Sequence, residues 1–419
     1  MIYRTSARWG AGLVAAALAV VGLAAPGHAG GRSSTQSGVS GATLVVRAVD
    51  AVTGAPVNGF CATMTAIAGH ACSDGSEVTL TDLAVEPASV MVATGSTNNY
   101  LSPEAMPVTL VEGETTTVTV PLTLGGRISG TVVDRIAGQP VVDACVALAV
   151  PGQGVFPEGC DPTDEQGRFT TYPQPVGTYQ MFVFTPEGYG YQWAGPRGGT
   201  GDQRAAARIR VRADRVTEAP TVRLDRSGTI SGVVRDPAGA PAPGVSVGIS
   251  AWGLGTGPSS DVVTTDEQGG YVLDRLGPYS WPLNFTPNNE LPRLWSGGVG
   301  NRFRAETIRV RAGETTTYDQ RLVRGAGLRG AVTVRGGTAD DSWTLIAVNA
   351  VTGDDMGKAD SVDDDDRAYE MPLVGDQQVK FIWFTGSRSG WWDNATDITT
   401  ADRVRVPRSR FGTQDLTIG

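Results

Sequence analysis

The sequence predicts an all-β protein: four tandem β-sandwich units behind a signal peptide. Three observations carry this. Residues alternate with a period of two, with Ile128, Gly130 and Val132 interleaved with Ser129, Thr131 and Val133. Turn formers are frequent, with 56 Gly and 25 Pro in 419 residues. Whole segments also recur: "GRISGTVVDRIAGQPVVDACVAL" (126–148) returns as "GTISGVVRDPAGAPAPGVSVGI" (228–249), and "TDEQGRF" (163–169) returns as "TDEQGGY" (265–271).

The N-terminus reads as a secretory signal peptide over residues 1–29. Arg4 and Arg8 charge its start, an apolar run covers 11–25, and Gly27-His28-Ala29 offers a small-residue cleavage site. The apolar run is shorter than the roughly 20 residues that a spanning helix needs. No later stretch is long and apolar enough to span a membrane once the signal is removed. Residues 30–41, "GGRSSTQSGVSG", form a flexible polar leader. The mature chain is therefore expected outside the cell.

Four repeats follow, at 42–124, 125–226, 227–325 and 326–419. A divergent first copy contains "TLVVRAVDAVTGAPVNGFCATM" (43–64), and a divergent fourth opens "GLRGAVTV" (327–334). Aligning Gly-x-Pro brings Pro56, Pro140 and Pro241 together, and Cys61 falls on Cys145 where the third copy has Ser246. In the second copy a first strand through Val132 is followed by the Gly-Pro turn of "AGQPVVD" and a second strand, "ACVALAV". The "TDEQG" segment turns the chain into "RFTTY" and then "YQMFVFTP"; "RIRVRA" and "TVRLD" close the unit. About seven short strands in roughly 100 residues is the size of one sandwich. Each unit is expected to be closed by its own apolar filling.

"TDEQG" also invites a catalytic reading of Asp164 and Glu165. The order Asp-x-x-Gly instead fits a type I turn, with Asp bonding its own backbone and Gly accepting a positive φ. Phe169 and Tyr271 then start inward-facing strands.

The phrases "G-x-I-S-G-x-V-x-D … G-x-P-V-x-x-A-x-V", "T-D-x-x-G-x-F" and "V-G-T-Y" resemble carboxypeptidase regulatory-like domains. The second copy carries the pattern at Gly130, Val132, Asp134, Gly138, Pro140, Val141, Ala144, Val146, Thr163, Asp164, Gly167, Phe169, Gly177 and Tyr179. In the third copy "LGPYSWPLNF" replaces the Gly-x-Tyr step. The resemblance implies immunoglobulin-like or prealbumin-like sandwiches of the transthyretin type with an accessory, non-catalytic role, and a similar topology in starch-binding-like modules implies carbohydrate contact as the second reading. The recurrent "I-R-V-R-A-G-E-T-T-T" tail looks like the repeated modules of secreted bacterial surface proteins.

Composition narrows the chemistry. A net charge of -9 gives no phosphate-neutralising surface, so nucleic acid is not an expected partner. After the signal, His70 is the only His, which leaves Ser-His-Asp or Cys-His catalysis with one candidate. The chain reads as a non-enzyme without cofactors. The four Cys pair most naturally inside their own repeats, as Cys61–Cys72 and Cys145–Cys160. No C-x-x-C motif is present to favour zinc. Asp363, Asp364, Asp365 and Asp366 form a weak Ca²⁺ candidate in an acidic hairpin tip.

Aromatic residues are the remaining candidates. Trp193, Trp295 and Trp392, with Tyr100 in the first copy, are read as equivalent, and the pair Trp391-Trp392 is read as the better candidate for exposure, since neighbours on a strand face opposite ways. Such rings either plug the end of a sandwich or a joint, or offer flat faces for sugar stacking. The expected function is structural or adhesive, at the cell surface or outside the cell, with other surface proteins as partners. The alternative is polysaccharide binding through Tyr100, Trp193, Trp295, Trp391 and Trp392.

Overall fold

The computed structural model describes residues 41–94, 98–152, 162–249, 262–288, 290–336, 342–361, 367–386 and 388–419. The signal peptide, residues 30–40 of the leader, Cys160 and Asp363–Asp366 lie outside the described residues. The chain is all-β, and three short 3-10 turns are the only helices among the described residues.

The first sandwich contains β1 (Ala42–Asp50), β2 (Phe60–Thr65), β3 (His70–Ser73), β4 (Glu77–Leu83), β5 (Ala88–Thr94), β6 (Met106–Val108) and β7 (Thr115–Leu122). They form two sheets, ordered β4-β1-β7 and β3-β2-β5-β6. The period of two sets the facing: Leu44, Val46 and Ala48 of β1 meet Phe60, Ala62 and Met64 of β2 and Val90 and Val92 of β5 in one core. β1 is central to its sheet. It runs antiparallel to β4 and parallel to β7, in unbroken register from Thr43↔Thr115 to Asp50↔Leu122.

The later copies repeat this plan. Arg127–Asp134, Gly228–Arg235 and Ala326–Val334 each pair antiparallel with the strand after the turn, at Arg168–Thr170, Gly270–Leu276 and Ala368–Leu373. Each also pairs parallel with a final strand that is split in two: Val216–Glu218 and Val222–Leu224, Thr315–Thr317 and Gln320–Arg321, Phe411–Thr413 and Leu416–Ile418. One cross-strand pair recurs in all three, with glycine opposite an aromatic: Gly130↔Phe169, Gly232↔Tyr271 and Gly330↔Tyr369. A Cβ on Gly130 would stand 2.9 Å from the Phe169 ring, so the missing side chain is the room the ring occupies.

The recurrent pentapeptide is a turn. Gly167 N–H donates to Asp164 O at 2.8 Å, Asp164 Oδ1 accepts from the N–H of Gln166 and Arg168, and Gly167 has φ +69°. Asp266 and Gly269 repeat the arrangement. The preceding Thr163 and Thr265 are buried, and each hydroxyl links two backbone groups, Val141 O with Ala144 N–H and Ala242 O with Val245 N–H.

Each sandwich has its own apolar filling, but that of the third is not closed off from the second. In Gly177–Phe184, Tyr179, Met181 and Val183 point into the unit's own core. On the other face Phe182, with Ala147, Ala149, Tyr191 and Trp193, merges with Trp281, Leu283 and Phe285 of the third unit in one apolar cluster. Val374 of the fourth unit joins that cluster too. A sheet buried on both faces loses the apolar–polar alternation, so "YQMFVF" is the sequence trace of this contact. In the fourth sandwich the corresponding face carries Ile346, Val348, Ile382 and Trp391. It is covered by the chain's own Ile398 and Ala401. The Lys380 ammonium ties that cover down through the carbonyls of Ile398 and Thr399.

Candidate functional site

The polar side chains with the strongest structural commitments lie at the joints between sandwiches. At the first joint, Asp50 ends β1 and its Oδ1 accepts from the N–H of Thr53 at 2.7 Å and of Val52 at 3.0 Å. Its Oδ2 accepts from the Tyr100 hydroxyl at 2.9 Å. These bonds, led by the Thr53 N–H, hold the Asp50 carboxyl down at about 2. Tyr100 sits where the chain bridges to Leu124, on the way into the next unit. Arg127 of the second unit donates to Asn99 Oδ1 at 3.0 Å and Asn98 O at 2.6 Å, and Asn99 donates to Asp214 Oδ1 at 3.1 Å.

The second joint repeats the first. Asp134 ends the first strand of its unit, accepts from the N–H of Ile136 and Ala137, and receives the Tyr189 hydroxyl at 2.9 Å. Tyr189 bridges to Arg226, which pairs with Asp134 at 3.1 Å and stacks 4.5 Å from the Tyr189 ring. The Ala137 N–H and the Tyr189 hydroxyl hold the Asp134 carboxyl below its ordinary range. Deeper in, the Tyr279 hydroxyl lies 2.5 Å from Asp225 Oδ2 and 2.9 Å from Gln192 Oε1, and Arg135 pairs with Asp225 at 2.7 Å. Burial, then the Asp225 bond, pushes the Tyr279 phenol well up.

The third joint draws in three units. The 3-10 turns Gln203–Ala205 and Arg302–Arg304 occupy equivalent places and are capped by Asp202 and Asn301. Buried Arg302 donates to Gln203 Oε1 at 2.5 Å and Gly152 O at 2.9 Å, both in the second unit, and pairs with Asp354 of the fourth. Burial pushes the Asp354 carboxyl up to about 6, against the opposing pull of Arg302 and the Thr352 hydroxyl. Arg293 pairs with Asp355 at 2.5 Å, and Asn349 donates to Gly300 O at 2.7 Å. Arg204 reaches Phe303 O at 3.2 Å.

The residues singled out from sequence fall as follows. Cys61 and Cys72 are disulfide-bonded and directly opposite one another on β2 and β3. Cys145 lies on Cys145–Ala149, while its expected partner is outside the described residues. Trp193 and Trp295 are buried, the first edge-on to Phe182 at 5.2 Å. Two equivalences need correction. Trp193, Trp295 and Trp391 pair with Phe182, Asn284 and Ile382, so Trp391 takes the repeated place that Trp392 was expected to hold. Of the pair, Trp391 is buried and Trp392 is partly buried against the fourth core, so neither ring stands fully open. Tyr100 matches Tyr189, with the same Asp partner and the same bridge, rather than Trp193. These indoles therefore lie in cores and joints rather than along one open stacking surface.

Sequence reading missed Asp50, Tyr189, Gln203, Arg302 and Asp354, and took Asp134 only as a position of the recurring pattern, without its place at a joint. Part of the signal was present: "GDQRAAARIRVR" (201–212) aligns with "GNRFRAETIRVR" (300–311), which sets Gln203 on Arg302.

No protein-family model matches the chain, so the carboxypeptidase regulatory-like label remains a resemblance. No curated protein matches it either. Among solved structures it is similar to the Bacillus anthracis TIE protein at 11% identity, over 86% of this chain and 68% of that one, with a TM-score of 0.19. It is similar to a Streptococcal ancillary pilin at 10% identity, over 67% of this chain and 99% of that one, with a TM-score of 0.21. The minor pilin GBS52 of Streptococcus agalactiae is 11% identical over 47% of this chain and 95% of its own, with a TM-score of 0.21. Likeness at this level carries no argument, and the all-β assignment rests on the chain's own strands. Among the described residues no helix is long and apolar enough to cross a membrane.

Proposed function

We propose that this chain is a secreted, non-catalytic structural protein that works at the cell surface or outside the cell as a braced spacer between other surface proteins. The observation that carries the reading is the joint at Arg302, where one guanidinium of the third sandwich holds groups from the second and the fourth. Shared cores and buried inter-unit ion pairs are what a scaffold needs to keep its modules from rotating about their linkers, since small polar interfaces leave domains free to move. The displaced carboxyls at Asp50, Asp134 and Asp354 are each engaged by a joint or turn, which supports a structural assignment for them. The charge, the scarcity of His and the signal sequence support the same reading.

Two experiments test it. Protease shaving of intact producing cells is expected to digest the full chain and to spare a form lacking residues 1–29; a full chain protected inside the cell overturns export. Cross-linking on intact cells, read by mass spectrometry, is expected to return surface proteins as neighbours. Retention on a polysaccharide resin that is lost on Trp392→Ala would replace the scaffold reading with glycan binding.

A further inference from the structure

The first sandwich carries a compact group that its structural role does not use. The chain has two His, and His70 is the one among the described residues. Its Nε2 lies 3.6 Å from Cys72 Sγ, and its Nδ1 lies 2.8 Å from Thr63 Oγ1. Ligand atoms of Cys61, His70 and Cys72 all lie within 4.8 Å of one another. The sheet explains the convergence. Residues two apart share a face, which places His70 with Cys72 on β3 and Cys61 with Thr63 on β2, and the pairs Cys61↔Cys72 and Thr63↔His70 are directly opposite. His70 and Cys72 are exposed and Cys61 is half-buried.

Two features set this group apart from a plain staple. The β2–β3 ladder, from Phe60↔Ser73 to Thr63↔His70, pairs the two strands through backbone hydrogen bonds, which can keep these side chains opposite one another when the sulfurs are reduced. Thr63 Oγ1 also stands at the far ring nitrogen. With Thr63 accepting the Nδ1–H, the Nε2 lone pair faces the sulfurs, which is how an outer-shell partner fixes a ligating imidazole.

We propose that the reduced hairpin is a binding site for one thiophilic metal ion, Zn²⁺ or Cu⁺, held by the thiolates of Cys61 and Cys72 and by Nε2 of His70, with the disulfide as its locked state. A dithiol reductant opens the lock. It delivers two electrons and two protons to the Cys61–Cys72 bond, leaves two thiols, and is itself oxidised to a disulfide. Metal binding then releases both thiol protons to solvent. Two thiolates and a neutral imidazole balance the charge of Zn²⁺, and the exposed edge leaves a fourth position for water.

The test uses the full mature chain carrying Cys145→Ser and Cys160→Ser, reduced with a phosphine and checked for retained β-structure by circular dichroism. Zn²⁺ uptake is read by competition with a chromophoric chelator, and Co²⁺ by its thiolate charge-transfer band. The expected result is one Zn²⁺ per reduced chain and none per oxidised chain. His70→Ala is expected to weaken binding at least tenfold, and Thr63→Val about tenfold at unchanged stoichiometry. No uptake by the folded reduced chain, uptake indifferent to His70→Ala, or loss of the sandwich on reduction would each overturn the proposal.

Discussion

Gln203 and Arg302 hold the same place in consecutive repeats, and they bond to each other at 2.5 Å. A repeat position has thus become a contact between repeats. The same guanidinium reaches on to Asp354, which is fully buried within the fourth unit.

Replacing Arg302 by Met tests that junction. Removing one member of a buried pair strands the other, at a typical cost of about 3–5 kcal/mol. The deficit should depend on pH with a definite sign. Asp354 already has its carboxyl raised to about 6 by burial, and losing Arg302 raises it further. Ionising the stranded group is harder in the variant than in the parent, so the deficit is larger at pH 8, where the parent's carboxyl is charged, than at pH 5, where both carry the proton. Urea midpoints of parent and variant at the two pH values check this, and an equal deficit at both would remove Asp354 from the account.

Trp193→Ala tests the shared core. The indole is buried between the second and third units, and a large-to-small change at such a site costs about 3–5 kcal/mol. The third unit is expected to lose stability with the second, seen as simultaneous loss of amide protection around Phe182 and Phe285 by hydrogen exchange. Protection unchanged at Phe285 would mean that the two units open independently.

Acid should loosen the turn and joint carboxylates. Asp50 and Asp397 sit at about 2, held there chiefly by the Thr53 N–H and the Thr399 hydroxyl. A carboxyl whose folded value lies below its unfolded value of 3.8 stabilises the fold above that value, and loses the contribution as pH falls toward 2. Thermal midpoints should therefore drop between pH 4 and pH 2, and Asp50→Asn should flatten part of the drop. A variant that follows the parent curve throughout would contradict the assignment.

Non-reducing peptide mapping is expected to recover Cys61–Cys72 together with Cys145–Cys160. A Cys61–Cys145 peptide would contradict both pairings.

The sandwich plan was legible because its signals are local. Asp-x-x-Gly turns, period-two strands and recurring segments each show in short stretches of chain, and the Asp164 turn and the inward-facing Phe169 follow from them. The joints were not legible because their energy comes from contacts between distant segments. Nothing near Phe182 states that its outward face meets Trp281 of the next unit, although its run of unbroken apolar residues was a warning. The Trp391/Trp392 exchange is a one-residue register error, and in a strand one residue reverses the face. Tyr100 was misplaced because it was aligned as an aromatic ring, whereas its hydroxyl bond to Asp50 is what identifies its place.

In the first sandwich the opening strand β1 lies alongside the closing strand β7 and runs the same way. The polypeptide therefore enters at one pole and leaves at the other. Tension applied to the two ends would slide these strands past each other, loading every hydrogen bond from Thr43↔Thr115 to Asp50↔Leu122 together rather than peeling them one by one. Stretched in an optical trap, this module should yield at higher force than the three whose closing strands are broken in two. A first module that gave way before the others would rule that out.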